Sequence, residues 1–448
     1  MRFTRHITTF LTPALLLGSV AVSAEKPRAR GVIKPVVAES SDRAEVSTAL
    51  KTKLDDKTID LIDGELTLDD LVNLAEENNP ILKRARARIA SAQGDSLQAG
   101  LWENPKFDTN NPQVFAGRNS AFNGGFAQEI PVMGKKRLDR AAGEKAVHQQ
   151  QYAYVQDRIE LLTNVRQQFF TVLAAQRRVQ VYSDLYEITR SSTKTAYKVF
   201  EAGESGKIDA LLLQIDSETV SANLANSERL LEGARRQLAA TVGVQYVANR
   251  KMKGRLDERP PEYDDLILKE FVTNQSAQIQ IARLDIDRNQ ILLRRADVEK
   301  YPNPYIGPAY NVGVSPGQDA FWFNISFPIA VWNRNQGGVA SARANVRQSQ
   351  ENLNATQLDQ LRKLADAYAR YQAAQAQADK YRDEIIPHTI EAYKFAREGW
   401  REKTIDMLRF LQTQRTVVEA HVTNLSILES LWQSSAELAG LLQLDQFP

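Results

Sequence analysis

The sequence has 448 residues, 43% hydrophobic and 25% charged, enough apolar material for a large core and too much for a disordered chain. Its 57 basic and 55 acidic residues nearly cancel, so charge gives no reason to expect nucleic acid as a partner. No cysteine is present, which excludes disulfides, thiolate metal sites and cysteine lipidation.

Arg2, Arg5 and His6 precede an apolar stretch from Phe10 to Val22, and Val22-Ser23-Ala24 sets small residues where a signal peptidase cuts. Residues 1–24 are therefore expected to be a cleaved export signal, and 25–65, charged and Ser/Pro-rich, a flexible extension. Thr67 followed by Asp70 predicts a helix start of the capping-box kind, and Pro80 suits the first turn of a second helix reaching about Trp102. Asn104-Pro105 ends it. From Lys106 to Pro131 the composition changes to Gly, Asn, Phe and Pro, with Phe122, Phe126 and Ile130 alternating against Asn123, Ala127 and Glu129. Two strands within 104–131 fit this, with a turn near residues 117–120. A long helix is predicted over 138–202, striped by Val155, Ile159, Leu162, Phe169, Val172, Val179 and Tyr182, and a return helix over 207–242 after the turn at Gly203–Gly206.

Residues 244–263 read as an irregular connector, after which the pattern recurs. Asp265–Lys300 is predicted helical, Pro302-Asn303-Pro304 answers Asn104-Pro105, and strands are expected within 303–330 around a turn at residues 316–318. In Phe321–Ile329 every odd residue is apolar. A long helix over 338–398 follows, with a seam of Leu361, Leu364, Tyr368, Tyr371, Ala374, Ala378, Tyr381 and Ile385, and a return helix over 404–444. Matched landmarks (105 and 304, 131 and 328, 209 and 406) are offset by 197 to 199 residues, so 66–243 and 264–446 are read as two tandem repeats.

The resulting fold class is mainly α with a small β part: tandemly duplicated long helical hairpins plus two strand hairpins. Strands of roughly 10–13 residues with one apolar face are what a bilayer on one side and water on the other require. Four strands cannot close a barrel, whereas three copies supply twelve.

Leu68-Asp69-Asp70-Leu71 through Asn79-Pro80, Leu101–Pro105, Pro131–Arg137, Phe327-Pro328-Ile329 with Arg334–Gly337, and the tip Gly399–Leu411 together resemble the outer-membrane efflux protein family. The likeness is to its TolC-like exit ducts, and most of all to the heavy-metal-resistance, CzcC-like branch. The resemblance implies a homotrimer with a 12-stranded β-barrel in the outer membrane on a 12-helix periplasmic α-barrel. It also implies docking of a periplasmic adaptor that links to an inner-membrane pump. At the tips it points to an aperture at Asp209 and Asp406, with Arg409 where better-known members carry a second acid, and to adaptor contact at Gly203, Gly206, Lys207, Gly399, Trp400 and Arg401. A simpler reading of both aspartates is compensation of helix N-terminal dipoles. Phe321, Phe323, Ile325 and Phe327 are the expected lipid face, Trp322 points the opposite way, and Trp332 suits an interfacial belt.

The histidines His148, His388 and His421 stand singly, and the four methionines do not cluster, so no metal site is expected. No phosphate loop, His-Glu-x-x-His pair or nucleophile elbow appears; neither cofactor nor catalysis is expected. The function so implied is a passive outer-membrane duct of a tripartite efflux system for small substrates, heavy-metal cations included. A type I secretion exit duct and an exported coiled-coil scaffold or adhesin with a β head are the alternatives.

Overall fold

The computed structural model describes residues 65–110, 122–203, 206–244, 250–312, 319–402, 404–445 and 447. The expected export signal, nearly all of the expected extension and both expected strand turns lie outside these.

Helix α1 (Leu68–Asn78) starts where the sequence puts it: the Thr67 N–H donates to Asp70 Oδ2 at 3.0 Å, and the Asp70 N–H to Thr67 Oγ1 at 3.3 Å. Asn79 then caps α2 (Pro80–Gly100), its Oδ1 accepting the Ile81 N–H at 2.7 Å. Strands β1 (Lys106–Asn110) and β2 (Phe122–Glu129) lead into α3 (Lys135–Glu201), whose 67 residues make a rod of about 100 Å. Helix α4 (Lys207–Val242) returns along it.

The expected single helix from Asp265 to Lys300 is two, α5 (Asp265–Asn274) and α6 (Ala277–Val298). Neither Pro nor Gly marks the break; the Ser276 hydroxyl donates instead to the Val272 carbonyl at 3.0 Å, satisfying a C-terminal acceptor of α5. Strands β3 (Tyr305–Val312) and β4 (Ala320–Ser326) come next. The four described strands hold five to eight residues, shorter than expected.

The second long helix is also corrected. It runs as α7 (Gln336–Lys380), a π-helical turn (Tyr381–Ile385) and α8 (Ile386–Arg401). Pro387 is the physical cause: it has no N–H for the carbonyl four residues back, and its ring crowds that carbonyl, so the preceding turn widens. Helix α9 (Met407–Leu441) completes the chain.

Each long helix carries two shorter ones in succession. Along α3, Ser96 of α2 lies against Gly143 and Leu213 of α4 against Thr193. Where α2 and α4 meet, Asn79 Nδ2 donates to the Thr241 carbonyl at 2.7 Å, and Gly243, at φ +91°, leaves no room for a Cβ beside Asn79. Along the second rod, α6 and then α9 take these places.

The largest core sits where these ends meet. It joins Leu71, Leu82, Phe169, Phe170, Leu238 and Trp432, with Phe170 stacked on the Trp432 indole at 4.5 Å. A neighbouring cluster packs Leu268 and Val272 of α5 on Leu364, Tyr371 and Ala378 of the expected α7 seam. The connector is tied to both: Trp432 Nε1 donates to the Leu256 carbonyl at 3.0 Å and Tyr371 Oη to the Pro261 carbonyl at 2.9 Å, leaving neither acceptor unpaired beside the core.

Candidate functional site

Two regions carry the expected functional residues: the tips of the helical hairpins and the sheet.

At the first tip Gly203 takes φ +78°, a conformation that favours glycine, and Gly206 caps α4 without a side chain. Gly203, Gly206 and Lys207 are exposed, and Asp209, half-buried, is the third residue of α4. At the second tip the Gly399 carbonyl accepts the Thr404 N–H at 2.8 Å and the Ile405 N–H at 3.3 Å. That holds the loop away from helix until Asp406, which is itself the N-cap of α9; its Oδ1 accepts the Arg409 N–H at 3.2 Å. The two aspartates matched in sequence thus sit at different helix positions. Asp406, Arg409 and Arg401 are exposed. Trp400 is not free: its ring stacks on Phe410 at 5.0 Å, inside the hairpin.

The two tips touch. Ala196, Ala210 and Leu213 of the first hairpin form one buried cluster with Leu411 of the second, flanked by Met407, Tyr197 and Phe200. Asp209 and Asp406 each immediately precede a member of this apolar plug. One and two turns further along α4 and α9 comes a polar layer absent from the sequence reading. Asp216, 4% exposed, accepts from Arg415 Nε at 3.4 Å, and their sequence neighbours Ser217 and Gln414 are buried as well. Burial pushes the Asp216 carboxyl above its ordinary value, with the Arg415 charge opposing. The signal was present: an acid stands where Ala210, Leu213 and Val220 mark the apolar stripe of α4.

The sheet is antiparallel in the order β1-β2-β3-β4, and the outer edges of β1 and β4 have no partner strand among the described residues. Its register sorts side chains cleanly. Phe323 lies opposite Pro308, Phe321 opposite Tyr310 and Ile325 opposite Ile306, while Phe107 pairs with Phe126, their rings 5.1 Å apart. These share one face. The other carries Asp108, Asn123, Asn311, Asn324 and Ser326, with Trp322 across from Ala309. Phe321, Phe323, Ile325 and Phe327 are 58–72% exposed, so no described residue covers the apolar face. The β2–β3 ladder lapses at Gly307-Pro308, where proline cannot donate; a Cβ on Gly307 would sit 1.5 Å from the Phe126 carbonyl oxygen.

Among the described residues no helix is long and apolar enough to cross a membrane, and no three metal-ligating side chains gather.

Paired helical hairpins under an open four-stranded sheet with one bare apolar face define an outer-membrane channel fold. Solved structures share it: CusC aligns with a TM-score of 0.73 at 15% identity, over 86% of this chain and 95% of CusC. The open-state MtrE channel of Neisseria gonorrhoeae aligns at 0.70 and 16%, over 84% of this chain and 88% of MtrE. The profile of the outer membrane efflux protein family matches residues 71–244 and 313–442, and the chain belongs to that family. It is 24% identical over 381 residues to the cobalt-zinc-cadmium resistance protein CzcC of Cupriavidus metallidurans, across 85% of this chain and 90% of CzcC. The protein is the outer-membrane channel component of a tripartite efflux system, its helices periplasmic.

Proposed function

We propose that three copies close their sheets edge to edge into a twelve-stranded barrel over a ring of helical hairpins, forming a passive duct. The observation that carries this is the sheet: two unpaired edges and a bare apolar face are tolerable in lipid only when the edges are closed. Phe321, Phe323, Ile325 and Phe327 then face lipid and the asparagines face water. At the far end the tips form the aperture, with Asp209, Asp406 and Arg409 around it, and a periplasmic adaptor docks on the exposed Gly203, Gly206, Lys207 and Arg401, with Trp400 bracing the hairpin. Energy comes from an inner-membrane pump reached through the adaptor. The likeness to CzcC favours heavy-metal cations among the exported substrates. A duct of this kind has no need of a metal site of its own.

Mass measurement in detergent tests the assembly: a trimer is expected, and a stable monomer or dimer overturns it. Planar-bilayer recordings test the duct, since a trimer that never conducts, even with the tip loosened, is a scaffold and not a channel.

A further inference from the structure

A cavity of about 500 Å³ lies at the foot of the sheet, where β2, β3 and β4 join their helices. Because the helices are periplasmic, this is the periplasmic edge of the membrane. Lys135, its side chain 2% exposed, lines the cavity with a single loose pairing, Glu299 Oε1 at 3.6 Å, beyond hydrogen-bond reach. A buried ammonium carries three donors and demands anionic oxygen. Lys300 stands at the exposed rim. Glu129, on the same wall, is held by neutral donors only, Asn303 Nδ2 at 2.6 Å and Tyr305 Oη at 3.1 Å, so its charge is oriented without being neutralised. Past β4 the chain presents Ile329 and Trp332 at this cavity, 77% and 89% exposed, a continuation of the bare apolar face.

Two ammonium groups, the Glu129 carboxylate, the Oε1 of Glu299 (its Oε2 is taken by Arg295) and an apolar ramp match one ligand chemistry: a phosphate, a primary ammonium and acyl chains. We propose that this cavity seats the headgroup of a phosphatidylethanolamine from the periplasmic leaflet. The phosphate lies on Lys135 and Lys300, the ammonium donates to Glu129 and Glu299, and the chains run along Ile329 and Trp332. The inference rests on the sheet being the membrane part of the duct, and every lining residue belongs to one copy.

The test titrates the delipidated full chain in detergent with short-chain phosphatidylethanolamine, phosphatidylcholine, phosphatidylglycerol and glycerophosphoethanolamine, read by native mass spectrometry and thermal shift. One phosphatidylethanolamine per chain is expected, bound at least about tenfold tighter than phosphatidylcholine, whose trimethylammonium cannot donate. Lys135→Met and Lys300→Ala should each lose about tenfold, with oligomer mass and conductance unchanged; the rim variant keeps the test open should the buried one fail to fold. Equal binding of all three lipids, no binding, or binding of glycerophosphoethanolamine as tight as the lipid overturns the proposal. So does a delipidated oligomer in which a neighbouring copy shields Trp332 from oxidative labelling. A chain that stays monomeric yet binds the lipid sinks the duct and leaves this site standing.

Discussion

Arg415 of α9 donates to the buried carboxylate of Asp216 on α4, Nε to Oδ1 at 3.4 Å, and so ties together the return helices of two hairpins 199 residues apart. The pair is lopsided: the Asp216 side chain is 6% exposed and the Arg415 side chain 61%. Burying that carboxylate costs more than an exposed guanidinium returns, and the raised Asp216 pKa expresses this. Asp216→Asn is therefore expected to leave tip stability unchanged or slightly higher at neutral pH. Arg415→Ala leaves the acid unpaired and should cost about 1–3 kcal/mol, toward the lower end because Arg415 is solvated. Chemical denaturation of both variants and the double mutant checks this; equal losses from both single changes would contradict it.

The pH dependence carries a definite sign. A carboxyl whose folded-state pKa lies above 3.8 binds its proton more tightly in the folded seam than in the unfolded chain. The wild-type seam should gain stability from this group as pH falls through the raised value and lose that gain as pH rises through it. Hydrogen exchange of α4 and α9 between about pH 4 and 7 should show the trend in wild type and a flatter profile in Asp216→Asn.

The apolar plug beneath that pair should hold the aperture shut. Leu213 and Leu411 are 1% and 4% exposed, and truncating either to alanine removes packing worth about 2–5 kcal/mol. In planar bilayers Leu213→Ala and Leu411→Ala are expected to open more often than wild type. Unchanged opening in both would mean the closed state is held elsewhere.

How much of this was legible in the sequence depends on how far apart the partners lie. The cap at Thr67 and the two-faced strand read over Phe321–Ile329 are local patterns; the cap stands where the pattern puts it, and the strand keeps its two faces but ends at Ser326. The break at Ser276 had no Pro or Gly to announce it, because a serine closing on its own helix end leaves no compositional trace. Pro387 was visible, but its outcome, a widened turn and not a stop, depends on α9 holding the helix on either side. The different capping of Asp209 and Asp406 is hidden behind an apparent repeat, since it turns on whether Gly206 or Asp406 occupies the cap itself. The Asp216–Arg415 pair is a contact between distant segments, and one sequence cannot show which acid meets which base.

Arg166 offers a second test of a long-range tie. Its guanidinium, 1% exposed, donates to the carbonyls of Leu444 at 3.0 Å and Asp445 at 2.6 Å and lies over the Phe447 ring at 5.1 Å. The planar fork spans both carbonyls at once, which an ammonium does not. Arg166→Ala and Arg166→Lys should both release Leu444, Asp445 and Phe447 from Arg166's helix, at about 1–3 kcal/mol for each carbonyl left unpaired. Limited proteolysis near the C-terminus reads this directly, and protection equal to wild type in Arg166→Lys would show that charge alone suffices.

The π-helical turn predicts a contrast between two small changes. Deleting exposed Asp383 removes the extra residue of the widened turn, which closes to an ordinary α-turn and leaves everything beyond it facing as before, so the melting temperature should shift little. Deleting exposed Glu391 from the regular helix of α8 leaves no spare residue to absorb the loss and rotates everything beyond it by about 100°. Ala396 and Trp400 would then leave α9, and the Trp400 emission should move to the red as its stack on Phe410 is lost.

The sheet gives the sharpest discrimination, because neighbouring residues on β4 point to opposite faces. Phe323 stands with Pro308 on the apolar side; Asn324 stands with Gly307 on the polar side. If the apolar side meets hydrocarbon, Phe323→Arg buries a guanidinium in lipid at about 2–4 kcal/mol near the midplane, whereas Asn324→Arg puts the same group in water at little cost. Assembly yield of the oligomer in detergent should fall for the first and hold for the second, whose added positive charge should instead shift conduction through the lumen toward anions. A β head packed into a soluble scaffold would not show this pattern: there the apolar face is a private core, and both substitutions would be judged by unfolding in water without amphiphile. The reverse outcome, assembly lost with Asn324→Arg and kept with Phe323→Arg, would turn the sheet inside out and exchange the lumen and lipid assignments residue for residue.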